Sequence, residues 1–149
     1  MSKYHYTESG IDNVYIEGMK VQIDDHDDEV YCIPNVNGLH KVIAHAIVNQ
    51  AMAMLGTELR FLRTEMGVTQ AELAKLVHRD AQTMGRWERG EIEIDSNAEV
   101  LIRLVACEKL GLDPGLSVEE MAQRCVPSAK LEVIRIDGSN PSNYQQIAA

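Results

Sequence analysis

The segment from Thr57 to Gly90 most constrains this chain, because its caps and apolar spacing predict three short helices in close succession. The first would run from about Thr57, a good N-cap, to Met66, with Gly67 ending it. Its inward face would be formed by Leu59, Leu62 and Met66. A second helix would begin at Thr69, where Glu72 three residues later completes a capping box. The second helix would bury Leu73, Leu76 and Val77.

The third helix is predicted to follow a very short turn, residues 78–80, with Asp80 as its N-cap. It would run from about Ala81 to Arg89, with Gly90 closing it. Helical spacing turns Met84 and Trp87 inward. The outward face would carry Ala81, Gln82, Thr83, Arg86 and Arg89. That face is polar and basic.

The order and spacing of these residues resemble the pattern of lambda-repressor-like (Xre or Cro type) helix-turn-helix regulators. The resemblance covers the middle quarter to third of the chain. It is carried by Gln70, Ala71, Glu72, Leu73, Ala74, Met84, Trp87, Glu88 and Gly90.

The resemblance implies that the start of the third helix enters the major groove of DNA. Ala81, Gln82 and Arg86 then take base-facing positions, and Gln70 opens the second helix against a phosphate. Arg79 and Thr83 stand next to these positions, and Arg89 completes the predicted DNA-binding set.

Three residues or segments depart from the family pattern. His78 stands where the family prefers a glycine with positive φ. Gly85 weakens the recognition helix by about 1 kcal/mol relative to alanine. Residues 91–95, EIEID, are acidic where the family often carries basic or proline-containing sequence. These departures bear on DNA affinity more than on the fold.

The net charge of −9 contrasts with the phosphate neutralisation that DNA binding requires, but the charge is unevenly distributed. Residues 1–50 carry three Lys and Arg against eight acids, and residues 91–149 carry five against ten. Residues 51–90 carry six against five, for a net charge of +1. This distribution favours one defined docking face. An acidic surface also suits a basic protein partner.

The N-terminal third is predicted to form a small β unit followed by a helix. Residues 14–16 and 19–23 flank Glu17-Gly18 like a tight hairpin, and residues 30–33 form a third strand after an acidic turn. Apolar residues at helical spacing then predict one long amphipathic helix from Gly38 to Gly56. This order is loosely similar to MqsA-like and related Xre-type antitoxins. The zinc-binding cysteine pairs are absent, so the resemblance implies no zinc.

Beyond Gly90, residues 97–110 predict a helix with four apolar residues facing inward. They are Ala98, Leu101, Ile102 and Val105. Ser117 and Glu120 form a capping box that begins a shorter helix, and residues 130–136 predict a strand that pairs with the N-terminal sheet or with a second subunit. Cys32, Cys107 and Cys125 form no metal-binding pair, and no long apolar run is present. A cytoplasmic location without metal, cofactor or membrane contact is expected.

These patterns predict an α+β fold. Residues 1–55 would form a small N-terminal antiparallel β unit and a linking helix, a site for dimerisation or partner binding. Residues 56–126 would form an all-α lambda-repressor-like helix-turn-helix domain. A C-terminal strand and tail follow (residues 127–149). The predicted function is a sequence-specific repressor that binds double-stranded DNA as a homodimer on an inverted repeat. One alternative is an antitoxin that binds a toxin protein and represses its own operon; another retains the fold without DNA binding. No motif suggests an enzyme.

Overall fold

The computed structural model of the chain describes residues 3–19, 21–23, 25–126 and 133–147. It combines short strands with helices, which confirms the predicted α+β class. The chain divides into two compact units, one formed by residues 1–43 with 133–149 and the other by residues 44–132. The C-terminal strand therefore groups with the N-terminal residues, although the sequence suggested a separate C-terminal segment.

In the described part of the chain, the strands form one four-stranded sheet and one two-stranded sheet. They are β1 (Lys3–His5), β2 (Val14–Glu17), β3 (Val21–Ile23), β4 (Glu29–Tyr31), β5 (Ile134–Asp137) and β6 (Gln145–Gln146). The larger sheet has the order β1-β2-β5-β6, in which β2 and β5 run parallel and the other neighbours antiparallel. Strands β3 and β4 pair antiparallel in the smaller sheet.

The predicted hairpin between residues 14–16 and 19–23 is wrong. Gly18 does adopt a positive φ of 79°, but β2 and β3 belong to different sheets. Both edges of β2 are occupied, because β1 and β5 pair with it. The buried side chains of Val14 and Ile16 lie in register with Ile134 and Ile136. Because these apolar residues are buried together, β2 is stabilised more by pairing with β5 than it would be by a local hairpin with β3.

The predicted pairing of the C-terminal strand with the N-terminal sheet is confirmed for β5. Between the two strands, Arg135 of β5 donates to the carboxylate of Glu17, the last residue of β2, at 2.7 Å. This ion pair lowers the pKa of Glu17, chiefly through the hydrogen bond from Arg135. Residues 130–132 of the predicted strand lie outside the described residues.

The helices of the described residues include every helical segment expected from the sequence, with different bounds. They are α1 (Val36–Asn49), α2 (Gly56–Met66), α3 (Gln70–Leu76), α4 (Ala81–Glu88), α5 (Ser96–Leu110) and α6 (Val118–Arg124). The Ser117 hydroxyl accepts from the backbone N–H of Glu120, which confirms the cap of α6. No helix among the described residues is long and apolar enough to cross a membrane.

Helix α1 is shorter than the predicted helix from Gly38 to Gly56, because it ends at Asn49. The following backbone turns its carbonyls toward a buried guanidinium. Arg103 donates to the carbonyl oxygens of Gln50 at 2.9 Å and Met52 at 2.6 Å. In a continued helix each of these carbonyls would accept from the amide four residues later. Here the guanidinium takes the place of those amides and stabilises the irregular segment.

Arg103 also explains why the predicted inward face of α5 is partly wrong. Leu101 is 38% exposed, whereas the side chains of Glu99 and Arg103 are buried and form an ion pair with an N–O distance of 2.6 Å. A pattern that counts apolar residues does not anticipate a buried ion pair. Helix α5 begins at Ser96, one residue before the predicted start at residue 97, and the Asp95 carboxylate caps it by accepting from the backbone N–H of Ala98.

The start of α2 differs from the predicted cap at Thr57. The helix begins at Gly56, and the Glu58 carboxylate accepts from the backbone N–H of Leu55 at 2.8 Å. A Cβ on Gly56 would lie 2.3 Å from the carbonyl oxygen of Trp87. Gly56 therefore lets the start of α2 approach the end of α4 more closely than any other residue could.

We expect Arg103→Met to lower the free energy of unfolding by about 3–5 kcal/mol, because it leaves the buried Glu99 carboxylate without its partner. Lys109→Met, at an exposed position on the same helix, is the matched control. Urea denaturation followed by far-UV circular dichroism measures both.

The double variant Glu99→Leu with Arg103→Met removes both charges and should recover part of the loss. If Arg103→Met costs no more than the Lys109→Met control, the guanidinium does not organise residues 48–52.

Candidate nucleic-acid interface

Helices α2, α3 and α4 begin and end where local capping signals predict them to, apart from the start of α2. The Thr69 hydroxyl accepts from the backbone N–H of Glu72, and the Glu72 carboxylate accepts from the backbone N–H of Thr69. The Asp80 carboxylate accepts from the backbone N–H of Thr83 at 2.6 Å. These bonds satisfy amides that have no partner within their helices.

The turn between α3 and α4 requires one residue in the left-handed region. His78 occupies it with φ of 58°, in the position where the sequence comparison expected glycine. A non-glycine residue pays a conformational cost there. The turn forms nevertheless, with the His78 N–H donating to the carbonyl of Lys75 at 3.3 Å and the Arg79 N–H donating to that of Ala74 at 2.9 Å.

Helix α4 has one buried face and one exposed face. Met84 and Trp87 are almost fully buried, which confirms their predicted inward placement. Ala81, Gln82 and Arg86 are exposed, and Thr83 is half-buried. Gln82 and Arg86 therefore remain available for a ligand, and within the described residues neither side chain forms a hydrogen bond to the protein.

The Glu88 carboxylate connects all three helices. It accepts from Arg63 of α2 through both oxygens, at 2.6 and 3.1 Å, and from the Gln70 side-chain amide of α3 at 3.1 Å. The Glu88 side chain is only 4% exposed. Arg63 also donates to the carbonyl of Val68, in the link between α2 and α3. This buried two-pronged ion pair fixes the position of α4 relative to the two preceding helices.

Sequence reasoning identified Glu88 only as part of a pattern and did not predict its pairing with Arg63. A signal was present, because Glu88 lies four residues after the inward-facing Met84 and so shares its helix face. A charged residue at such a position requires a buried partner. The partner's identity could not be obtained from spacing, since Arg63 lies 25 residues earlier.

Gly85 brings two of the predicted DNA-binding side chains close together. A Cβ at this position would lie 3.5 Å from Gln70 Oε1 and 3.0 Å from Arg89 Nη1. The glycine that weakens the helix therefore also leaves room for an amide and a guanidinium to converge. The guanidinium of Arg89 donates hydrogen bonds, whereas the Gln70 atom nearest Gly85 is the amide oxygen, which accepts them, so Arg89 is the candidate phosphate donor at this place.

Arg79 and Arg89 lie beside acidic residues of the same unit. Arg79 donates to the Asp95 carboxylate at 3.2 Å, and Arg89 donates to the Glu91 carboxylate. All four side chains are substantially exposed, so solvent screens both ion pairs. Glu91 belongs to the acidic loop, residues 91–95, which therefore contacts a residue of the predicted DNA-binding set directly.

Asp80 places a negative charge near the start of α4. Hydrogen bonds from the backbone and side chain of Thr83 lower its pKa, and the positive charge of Arg86 adds to the effect. The carboxylate is therefore ionised at neutral pH, and it belongs to the helix cap rather than to a binding site. Among the described residues, no group of His, Cys, Asp and Glu side chains has an arrangement that could hold a metal ion.

Comparison with known proteins agrees with this geometry over part of the chain. Residues 54–114, which include α2 through α5, match a family model described as a helix-turn-helix domain. No curated protein and no solved structure matches the chain. None of these comparisons shows the looser antitoxin resemblance. The chain thus contains a helix-turn-helix domain at residues 54–114, a kind of domain that DNA-binding regulators carry.

Proposed function

We propose that the protein is a sequence-specific DNA-binding repressor that acts as a homodimer on an inverted repeat. The observation that carries this proposal is the exposed face of α4. It presents Gln82 and Arg86, whose side chains form no hydrogen bond within the described residues, on a helix that Glu88 fixes against α2 and α3. An α-helix with such a face fits the major groove of B-form DNA. The proposal assigns the chain to the cytoplasm and gives it no catalytic step.

Base recognition is assigned to three side chains of α4. Arg86 can donate two hydrogen bonds to the N7 and O6 atoms of guanine, and Gln82 can both donate to and accept from adenine. The methyl group of Ala81 can contact the methyl group of thymine. Each assignment follows from the chemistry of a side chain and its exposure on α4.

Phosphate contacts are assigned to Gln70, Arg79, Thr83 and Arg89. The bond from Gln70 to Glu88 uses one N–H of its amide and leaves the other for a phosphate oxygen. Arg79 and Arg89 are exposed cations whose present carboxylate partners would be exchanged for phosphates on binding. Such contacts set the position of the protein on the duplex and carry no base information.

Homodimer formation requires a surface that is not already buried within the monomer. The sequence suggested the helix that became α1 or the strand near residues 131–136. The apolar residues Leu39, Ile43 and Ile47 of α1 are buried within the chain, and β5 already has a neighbouring strand on each side. Exposed apolar side chains elsewhere, among them Leu101 and Val118, are the remaining candidates for the interface.

The alternative function is that of an antitoxin, in which the N-terminal unit binds a basic toxin. One observation favours it. Ile23 is 71% exposed on β3, beside exposed acidic residues at 25, 27 and 29. An apolar side chain surrounded by carboxylates suits a basic partner protein. Copurification with the product of an adjacent gene would support this alternative.

The first prediction concerns base recognition. On the duplex that the protein enriches from a random pool, Arg86→Ala should weaken binding by about 1–3 kcal/mol and relax the preference at one base of each half-site. Gln70→Ala should weaken binding to all sequences equally. Fluorescence anisotropy titrations of the selected and scrambled duplexes measure both.

Lys109→Ala, which also removes one exposed positive charge, is the control for Arg86→Ala. If Arg86→Ala loses no more affinity than this control, α4 does not read the bases.

The second prediction concerns the acidic loop. Changing Glu91 and Glu93 to Gln releases Arg89 from its carboxylate partner and removes repulsion of phosphates. The double variant should bind all duplexes more tightly and show a smaller ratio of specific to non-specific affinity. Titrations at two salt concentrations measure this, because each added phosphate contact steepens the log-log salt slope by about 0.9.

Glu119→Gln with Glu120→Gln makes the same charge change on α6 and serves as the control. Unchanged non-specific affinity in the Glu91 and Glu93 variant would show that the loop lies away from DNA.

The third prediction concerns assembly. Light scattering at micromolar concentration should give the mass of a dimer, and the selected site should be an inverted repeat with half-site centres about 10 base pairs apart. The spacing follows because two symmetry-related recognition helices must enter successive major grooves on one side of the duplex. A monomer combined with a non-palindromic site would contradict this prediction.

A further inference from the structure

A cleft of about 370 Å³ opens within the unit formed by residues 44–132. Its walls come from residues 52–56, from the end of α4 with the loop after it, and from Glu99 and Cys125. Its volume falls in the range of sites that bind small molecules. None of the side chains assigned above to base contacts lines the cleft.

The carboxylate of Glu99 gives the cleft a buried polar group. Its Oε2 accepts two hydrogen bonds from Arg103, at 3.0 and 2.6 Å, while its Oε1 accepts from no nitrogen or oxygen donor in the described part of the chain. The Cys125 thiol, a weak donor, also interacts with this carboxylate. The residue is 1% exposed and lines the cleft. A buried carboxylate oxygen without a strong donor favours one from a ligand.

The charges around Glu99 do not balance. The buried carboxylates of Glu58 and Glu99 lie near a single guanidinium, that of Arg103, and Glu58 Oε2 also lacks a hydrogen-bond partner among the described atoms. Burial raises the pKa of Glu58, which favours the neutral form of that carboxyl. A positively charged group placed in the cleft would compensate Glu99, the one of the two carboxyl groups that lines it.

The remaining walls restrict what kind of cation fits. Leu55, Trp87 and Ile94 provide apolar surface, and Glu91 and Glu93 add carboxylates. Burial raises the pKa of the Cys125 thiol to about 12, and the negative charge of Glu99 and a hydrogen bond from the thiol to Glu99 add to the effect. Cys125 therefore stays neutral and adds no anionic ligand of its own. These walls suit an organic ammonium ion with a compact apolar body.

We propose that this cleft binds a small amphipathic primary ammonium compound, whose positive group hydrogen-bonds to Glu99 Oε1 and whose apolar part packs against Trp87. The occupant lies against the C-terminal end of the recognition helix and the loop that carries Glu91. The site is separate from the assigned base-contacting face.

Trp87 is the sole tryptophan of the chain, so its fluorescence reports on the cleft. Benzylamine should give a saturable change in Trp87 emission at neutral pH. Benzyl alcohol, which keeps the ring and replaces the ammonium with a hydroxyl, should bind more weakly by on the order of tenfold or more. Equal binding of the two probes, or no response to benzylamine, would overturn the proposal. The measurement uses no DNA, so its failure is distinguishable from failure of the proposed repressor function.

Two variants of the full chain test whether benzylamine binds in the cleft. Glu99→Gln removes the charge and should reduce the preference for benzylamine over benzyl alcohol. Ala53→Leu fills the cleft without removing a hydrogen bond, since Ala53 bonds only through its backbone, which donates to the Val126 carbonyl and accepts from the Gln50 side-chain amide. It should abolish the benzylamine response even if Glu99→Gln fails to fold.

Ala122→Leu makes the same substitution at an exposed position of α6 outside the cleft and should bind benzylamine as the wild type does. Thermal unfolding by circular dichroism checks that Ala53→Leu is folded. A folded Ala53→Leu variant that binds benzylamine with wild-type affinity would place the probe elsewhere and contradict the proposal.

Discussion

The position of α4 depends on the Glu88 carboxylate. It holds Arg63 from α2 and Gln70 from α3 while it belongs to α4 itself, so one buried group fixes three helices. Truncating either charged partner would leave the other buried and uncompensated, which is costly. Glu88 also orients Gln70, one of the side chains to which a phosphate contact is assigned in the proposal.

A second buried guanidinium, that of Arg103, performs a comparable task at the other side of the same unit. Its bonds to the carbonyls of residues 48–52 end α1 and shape the segment that leads into α2. The same segment forms one wall of the proposed ammonium cleft. Both buried ion pairs determine the arrangement of helices and backbone through specific hydrogen bonds. They add little to the free energy of unfolding compared with apolar side chains packed in the same place.

The sequence predicted well those features that depend on neighbouring residues. The caps at Thr69, Asp80 and Ser117 and the inward Met84 and Trp87 are all local, and all are confirmed. Two errors are local, because α2 is not capped at Thr57 and Leu76, predicted to be buried, is 45% exposed. The larger errors concern distant partners. The hairpin at Gly18 failed because β5, more than 110 residues away, pairs with β2. The prediction of one long helix to Gly56 was wrong because Arg103 donates hydrogen bonds to the carbonyls that follow Asn49. Leu101 was wrongly predicted to face inward because Arg103 and Glu99 occupy the interior. The structure shows that the α4 face with Gln82 and Arg86 is exposed, whereas its binding to DNA stays a prediction.

The central claim is that α4 reads bases, and parallel selections of DNA test it most directly. The wild type and an Arg86→Gln variant would each be used to enrich duplexes from the same random pool. We expect the wild type to enrich an inverted repeat with a guanine in each half-site. The variant should enrich the same repeat with the preference changed at that base alone, because glutamine pairs with adenine where arginine pairs with guanine. Enrichment of the same guanine by both proteins, or of no defined sequence by the wild type, would contradict the account.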